Sequence, residues 1–213
     1  MRFPHAYKGV TKLLIGQILT FMTSVLIAAG VLIMLAAKRN SVEDVLLGMI
    51  VLAGTALVKC VALVLEMIGL MQARKDDKTF LLAFLIAILS LLATIIKPFL
   101  SARFPVVSGW MEVSDTVARL AIVEITVSAV RSFAKQLEDA EVYFLASRMQ
   151  IAITILWVFI ALLTLYRITP MMLAGTAEII SYVLTAVAEI LVIYFLWKAR
   201  KMLKRKKEET TDS

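Results

Sequence analysis

VSDTVARLAIVEITVSAVRSF, Val113 to Phe133, has the length of a membrane-crossing helix yet carries four charged residues, Asp115, Arg119, Glu124 and Arg131. Hydropathy alone lays it flat at an interface, giving five spans plus an interfacial helix. Counting it as a span makes six and puts both chain ends on the same side. The rest of the sequence decides between the two.

The chain has 213 residues, of which 61% are hydrophobic. A soluble domain has roughly 45 to 50% apolar residues, so the composition is that of a membrane protein. Its 8 Gly and 4 Pro leave little room for long structured loops. The apolar runs are about 18 residues or more, a helical rather than a strand length. The spacing predicts an all-α polytopic transmembrane bundle. Its spans fall near 13–37, 45–71, 80–96, 113–133, 149–166 and 171–197, in a single domain over 1–207. Residues 208–213 are expected to form a disordered cytoplasmic tail.

Leu13 to Ala37 is 25 residues without a charge and follows Arg2, His5, Lys8 and Lys12. A signal peptide opens in the same way, but its apolar core is roughly 7 to 15 residues, so this run is read as a retained first span. Span 2 follows Ser41-Val42-Glu43-Asp44, a capping-box pattern. Span 3 is expected to end at Lys97-Pro98, and span 6 to begin at Thr169-Pro170. Two charged turns, Ala73 to Phe80 and Ala134 to Tyr143, each precede an uncharged span, which raises a duplicated hairpin as a possibility beside chance likeness.

Basic residues favour a crossing for segment 4. With six spans and cytoplasmic termini, sixteen of the 23 Lys and Arg face inward: Arg2, Lys8, Lys12, Arg74, Lys75, Lys78, Arg131, Lys135, Arg148 and seven in the tail. Outer loops hold five, namely Lys38, Arg39, Lys97, Arg103 and Arg167. Lys59 and Arg119 remain inside spans. The positive-inside rule favours this arrangement, because a five-span chain exposes one basic terminus on the outside. The expected location is a bacterial inner membrane.

A charge near mid-bilayer costs roughly 2.5 to 3.5 kcal/mol on insertion scales, so each intramembrane ionisable residue is a candidate for function. Lys59 and Glu66 lie two helical turns apart, roughly 10 Å along the axis, too far to bond directly. Each looks to another helix. Lys59 and Glu124 fall at similar depth, and a pair between them is the expected contact. Asp115 and Arg119, at i,i+4, can pair along their own helix. Glu66 is free to snorkel to the inner interface, and Glu178 suits the first turns of span 6. Glu189 has no such explanation. The candidate site is a polar path lined by Lys59, Glu124 and Glu189, with Glu66 and Arg119 beside it. The alternative is a set of buried pairs that fixes helix register.

Other chemistries lack their parts. One histidine, His5, and one cysteine, Cys60, cannot build a His/Cys metal site, a Ser-His-Asp triad or a disulfide. There is no phosphate loop, and Asp76-Asp77 are adjacent in a turn rather than at helical spacing. Neither an enzyme nor a cofactor is expected. Cys60 is read as a small packing residue, and the 11 methionines as core filler. Trp110, Trp197, Tyr143 and Tyr166 mark span ends, while Trp157 lies within span 5. Lys198, Arg200, Lys201, Lys204, Arg205, Lys206 and Lys207 form a juxtamembrane cluster that orients the last span and attracts anionic lipid. No aromatic residue follows Trp197, so nucleic acid is not an expected partner.

AYKGVTKLLIGQIL, the hairpin GLMQARKDDKTFLLAF and a closing helix that runs into basic residues together resemble small bacterial polytopic membrane proteins without assigned function. The resemblance implies no residue role, substrate or cofactor. Two functions remain open: a small transporter or permease-like protein, plausible as a homo-oligomer at this size, and an accessory or scaffold protein. The second would hold a partner through small residues such as Ser24, Ala28, Ala53 and Gly54.

Overall fold

The computed structural model of the chain describes residues 3–36, 42–101, 105–168 and 174–209. These form six helices and no strand: α1 (Pro4–Ala36), α2 (Val42–Ala73), α3 (Thr79–Ser101), α4 (Pro105–Gln136), α5 (Ala140–Ile168) and α6 (Ala174–Glu209).

Several helices overrun their expected limits. α1 begins at Pro4, well ahead of Leu13, so Lys8 and Lys12 ride on its first turns rather than in a flanking loop. Proline suits that first position because its missing N–H has no helical partner there. α3 passes through Lys97-Pro98 and ends at Ser101. The proline removes one ladder bond, and the remaining bonds carry the helix to its end. α4 is one continuous helix of 32 residues, about 48 Å long, with its charges inside it. α6 stays helical to Glu209, two residues into the segment expected to be disordered, because its Lys, Arg and Glu are good helix formers. The Ser41 cap and the Thr169-Pro170 start lie outside the described residues, as do 210–213.

The two described turns between helices are built on aspartate. Asp77 Oδ1 accepts from Thr79 N at 2.8 Å and Thr79 Oγ1 at 2.6 Å, capping α3. Asp139 Oδ1 accepts from Val142 N at 3.1 Å, capping α5. The likeness stops there. The α4–α5 turn closes through Asp139 N to Ala134 O at 2.9 Å and puts Glu138 at φ 55°. Among the described non-glycine residues no other has positive φ, so the α2–α3 turn is made differently.

The α2–α3 turn holds α1, and the α4–α5 turn holds α6. Asp76 Oδ2 accepts from Ala6 N at 2.6 Å. Arg205 bonds Asp139 at 2.6 Å, and Lys198 bonds Glu141 at 2.7 Å. The start of α1, both turns and the end of α6 therefore share one end of the bundle. Phe3 and Phe80 pack on Phe133 beneath it, with ring centroids at 4.6 and 6.1 Å. Buried Val10, Leu70, Val127, Val130, Phe195 and Leu196 continue this core inward.

Each helix packs on its sequence neighbours, and α6 returns to α1, so the six form a closed ring with a further contact between α4 and α6. The α1–α2 pair is the closest. A Cβ on Gly9 would lie 2.6 Å from the Gly69 carbonyl oxygen, and one on Gly16 would lie 2.6 Å from Glu66 Cγ. Glycine lets these backbones approach as no larger residue does.

The outward faces are apolar. Leu82, Leu85, Leu89 and Leu92 of α3 are exposed, Leu89 to 65%. Ile151, Ile155, Phe159 and Leu162 do the same on α5. Water would make such a surface aggregate, whereas lipid solvates it. Among the described residues four helices are long and apolar enough to cross a membrane: Pro4–Leu26, Thr79–Ile96, Ala140–Tyr166 and Ile180–Arg205. Cys60, expected inside, is exposed on α2, where a small weakly polar thiol is tolerated among aliphatic neighbours.

Candidate functional site

α1 carries Gln17, Thr20 and Ser24 at i, i+3 and i+7, hence on one face. That face looks into the ring. Glu66 Oε1 of α2 accepts from Gln17 Nε2 at 3.0 Å and from Thr20 Oγ1 at 3.1 Å. Ser24 Oγ lies 3.4 Å from Glu189 Oε1 of α6 and 3.2 Å from the Thr20 carbonyl oxygen. The hydroxyl proton serves one of these acceptors at a time.

Gly16 explains the direction Glu66 takes. With no Cβ at position 16, the Glu66 stem crosses the α1 backbone and reaches Gln17 and Thr20. The expected snorkelling to the interface does not occur, because these donors satisfy the carboxylate inside the ring.

From Glu189 the cluster extends into α4 and α3. Arg119 NH1 lies 4.0 Å from Glu189 Oε1, and Arg119 Nε lies 3.7 Å from Asp115 Oδ2. Asp115 Oδ1 accepts from Ser90 Oγ of α3. The Arg119 and Lys59 charges act on both Glu66 and Glu189. The expected Asp115–Arg119 pair is thus present, but Arg119 also bridges to another helix. Five helices meet through these residues.

Glu189 is 3% exposed, and its Oε2 has no hydrogen-bond partner among the described residues. A buried carboxylate oxygen without a donor is costly, and such groups call for an explanation. A cavity of about 30 Å³ lies beside Gln17 and Glu66, lined also by Leu70, Val127, Val192 and Phe195. It has room for about one water molecule. The apolar layer of Leu70, Val127 and Phe195 separates the cluster from the basic end.

Glu124 stands apart. It accepts from Gln150 Nε2 at 3.2 Å and Thr154 Oγ1 at 2.6 Å, both on α5. Arg131 completes this second group, donating to Gln150 Oε1 at 3.4 Å and to Tyr143 OH at 3.0 Å. The expected Lys59–Glu124 pair gives way for two reasons. α2 and α4 do not pack together among the described residues. Arg119 and Glu124, five residues apart, also point about 140° from each other around α4. One faces into the ring and the other faces α5.

Of the five predicted site residues, Glu66, Arg119 and Glu189 converge, Lys59 acts on both glutamates through its charge, and Glu124 does not join them. Sequence reasoning missed Gln17, Thr20 and Ser24 as ligands of the acids. Ser24, expected as a small packing residue, bonds instead inside the ring, and its signal is polar spacing at i, i+3, i+7 in an apolar run. Gly54, from the same group, is exposed with open space around its Cα. The side chains of Ala28, Ala53 and Glu178 lie outside the described residues.

In the basic cluster, Lys198 and Arg205 are committed to Glu141 and Asp139. Trp197, Arg200, Lys201 and Lys204 line a shallow groove, with Lys198 and Lys201 Nζ 6.0 and 5.7 Å from the Trp197 ring centre. The side chains of Lys206 and Lys207 lie outside the described residues. No group of three His, Cys, Asp or Glu able to hold a metal occurs among the described residues. Comparisons with protein-family models, with curated proteins and with solved structures found no match to this chain.

Proposed function

We propose that the protein is a small transporter or permease-like carrier of six spans, with both termini cytoplasmic, and that the ring cluster is its working site. The observation that carries this reading is Glu189: a buried carboxylate with one oxygen unpartnered among the described residues, beside a second acid and two cations. A purely structural pair tends to satisfy all its lone pairs, whereas a site that loads and releases something leaves capacity open. α2 and α4 cross as well, on this reading, because their charges turn toward the ring or toward α5 rather than toward lipid. Gathering of basic residues at the end shared by the start of α1, both turns and the end of α6 supports the cytoplasmic assignment. Anionic lipid at the α6 groove fits the same orientation.

A second reading, a membrane scaffold, draws on Gly54. It is exposed on an apolar stretch of α2, and a second helix could approach it closely.

Thiol labelling separates the two. On a Cys60→Ser background, single cysteines replace Lys59, Glu66 or Glu189, with Lys204→Cys as an exposed control. Transport predicts labelling of the ring positions by a water-soluble maleimide in native membranes, and flux in liposomes that Glu189→Gln abolishes. Unlabelled ring positions beside a labelled control would sink the carrier reading and direct attention to Gly54.

A further inference from the structure

We propose that the ring cluster holds a single exchangeable proton, carried on the Glu189 carboxyl. This deepens the transport reading, on whose site it rests, by naming the species the site takes. Among the described side chains three carboxylates meet there, Glu66 of α2, Asp115 of α4 and Glu189 of α6. Arg119 of α4 lies against Asp115 and Glu189, and the charge of Lys59 of α2 acts on Glu66 and Glu189. With every group ionised, one negative charge is left over in the interior of a bilayer, where net charge is paired, expelled or neutralised.

Among the described side chains the packed elements bring no further cation. α1 presents neutral Gln17, Thr20 and Ser24, and α3 presents Ser90. α5 has no charged residue between Arg148 and Tyr166, and α6 has none besides Glu189 between Glu178 and Lys198. The nearby cavity of about 30 Å³ has room for about one water, not for a hydrated metal ion. A calcium-like ion needs six or more oxygen ligands, and no cluster of three acids close enough to hold a metal is found among the described residues. A proton fits where a larger cation does not.

Glu189 is where it resides. Glu66 Oε1 accepts two hydrogen bonds, and Asp115 accepts from Ser90 while facing the Arg119 Nε. Glu189 Oε2 is the buried acid oxygen of the cluster with no donor among the described residues. Binding forms one O–H bond on that oxygen and takes the cluster from one net negative charge to neutrality, with no other reactant. Release is the reverse.

Infrared difference spectra of the full chain in lipid bilayers, recorded while pH is varied in H2O and D2O, count protonated carboxyls through their C=O stretch. One per chain is expected at neutral pH, lost in Glu189→Gln and retained in Glu124→Gln. Lys59→Met removes a cation and doubles the count. A folded wild-type protein with no protonated carboxyl at neutral pH overturns the proposal, as does a signal that survives Glu189→Gln. Should that variant not fold, Lys59→Met decides, because an unchanged count overturns it equally. A proton that is bound but does not cross liposome membranes defeats the transport reading and leaves the proton site standing.

Discussion

Glu189 and Glu124 begin alike in the sequence, each a glutamate within a segment expected to span the membrane. Glu124 ends between helices α4 and α5 with both oxygens hydrogen-bonded, to Thr154 and Gln150. Glu189 ends inside the ring with one oxygen in contact with Ser24 and Arg119, and the other bare among the described residues. Expected depth made both of them candidates. The face of the helix, and the donors supplied by its neighbour, gave one a partner for each oxygen and left the other with an oxygen unpartnered among the described residues.

The comparison breaks most severely if the ring cannot close on Glu66. Gly16→Leu would put a side chain where Glu66 Cγ and the Ala62 carbonyl now lie, at 2.6 and 3.1 Å from a Cβ. A loss of about 3 kcal/mol is expected, the upper part of the overpacking range, measurable as earlier unfolding in mixed micelles with rising denaturing detergent. Arg119→Gln comes next. It removes a cation shared by Glu189 and Asp115, but the side chain is 28% exposed and the Glu189 contact is 4.0 Å. Screening cuts the full cost of breaking a buried pair to about 1 to 2 kcal/mol. Glu124→Gln is the mildest, because an amide oxygen still accepts from Thr154. A change within about 0.5 kcal/mol is expected in the same assay, with flux unaltered. A Glu124→Gln effect as large as that of Arg119→Gln would erase the distinction between the two acids.

The helices were legible because apolar runs and charged turns alternate along the chain, and Asp77 and Asp139 mark two starts. Their limits were less so, since Lys8 and Lys12 form helix as readily as the aliphatic residues after them. The angle between Arg119 and Glu124 was available from helical geometry alone and would have separated them. What no spacing shows is which helices touch. The Lys59–Glu124 pairing assumed that α2 meets α4, whereas the ring puts α3 between them. Gly9 and Gly16, seven residues apart, were a readable sign of close packing, but their partner helix was not.

Closure of the ring by α6 against α1 has a consequence for biogenesis. The chain emerges from the ribosome in order, so the first helix made waits for the last before Ser24 meets Glu189. α1 and α2 can join early through Gly9, Gly16 and Gly69, and Glu66 then finds Gln17 and Thr20 within a two-helix intermediate. Arg119 and Asp115 arrive with α4, before their second acid exists. Among the described ring side chains, nascent chains halted ahead of α6 would therefore carry two acids, Glu66 and Asp115, and two cations, Lys59 and Arg119. Glu189, the acid with an oxygen unpartnered among the described residues, arrives with the final insertion, in the same step that completes the bundle.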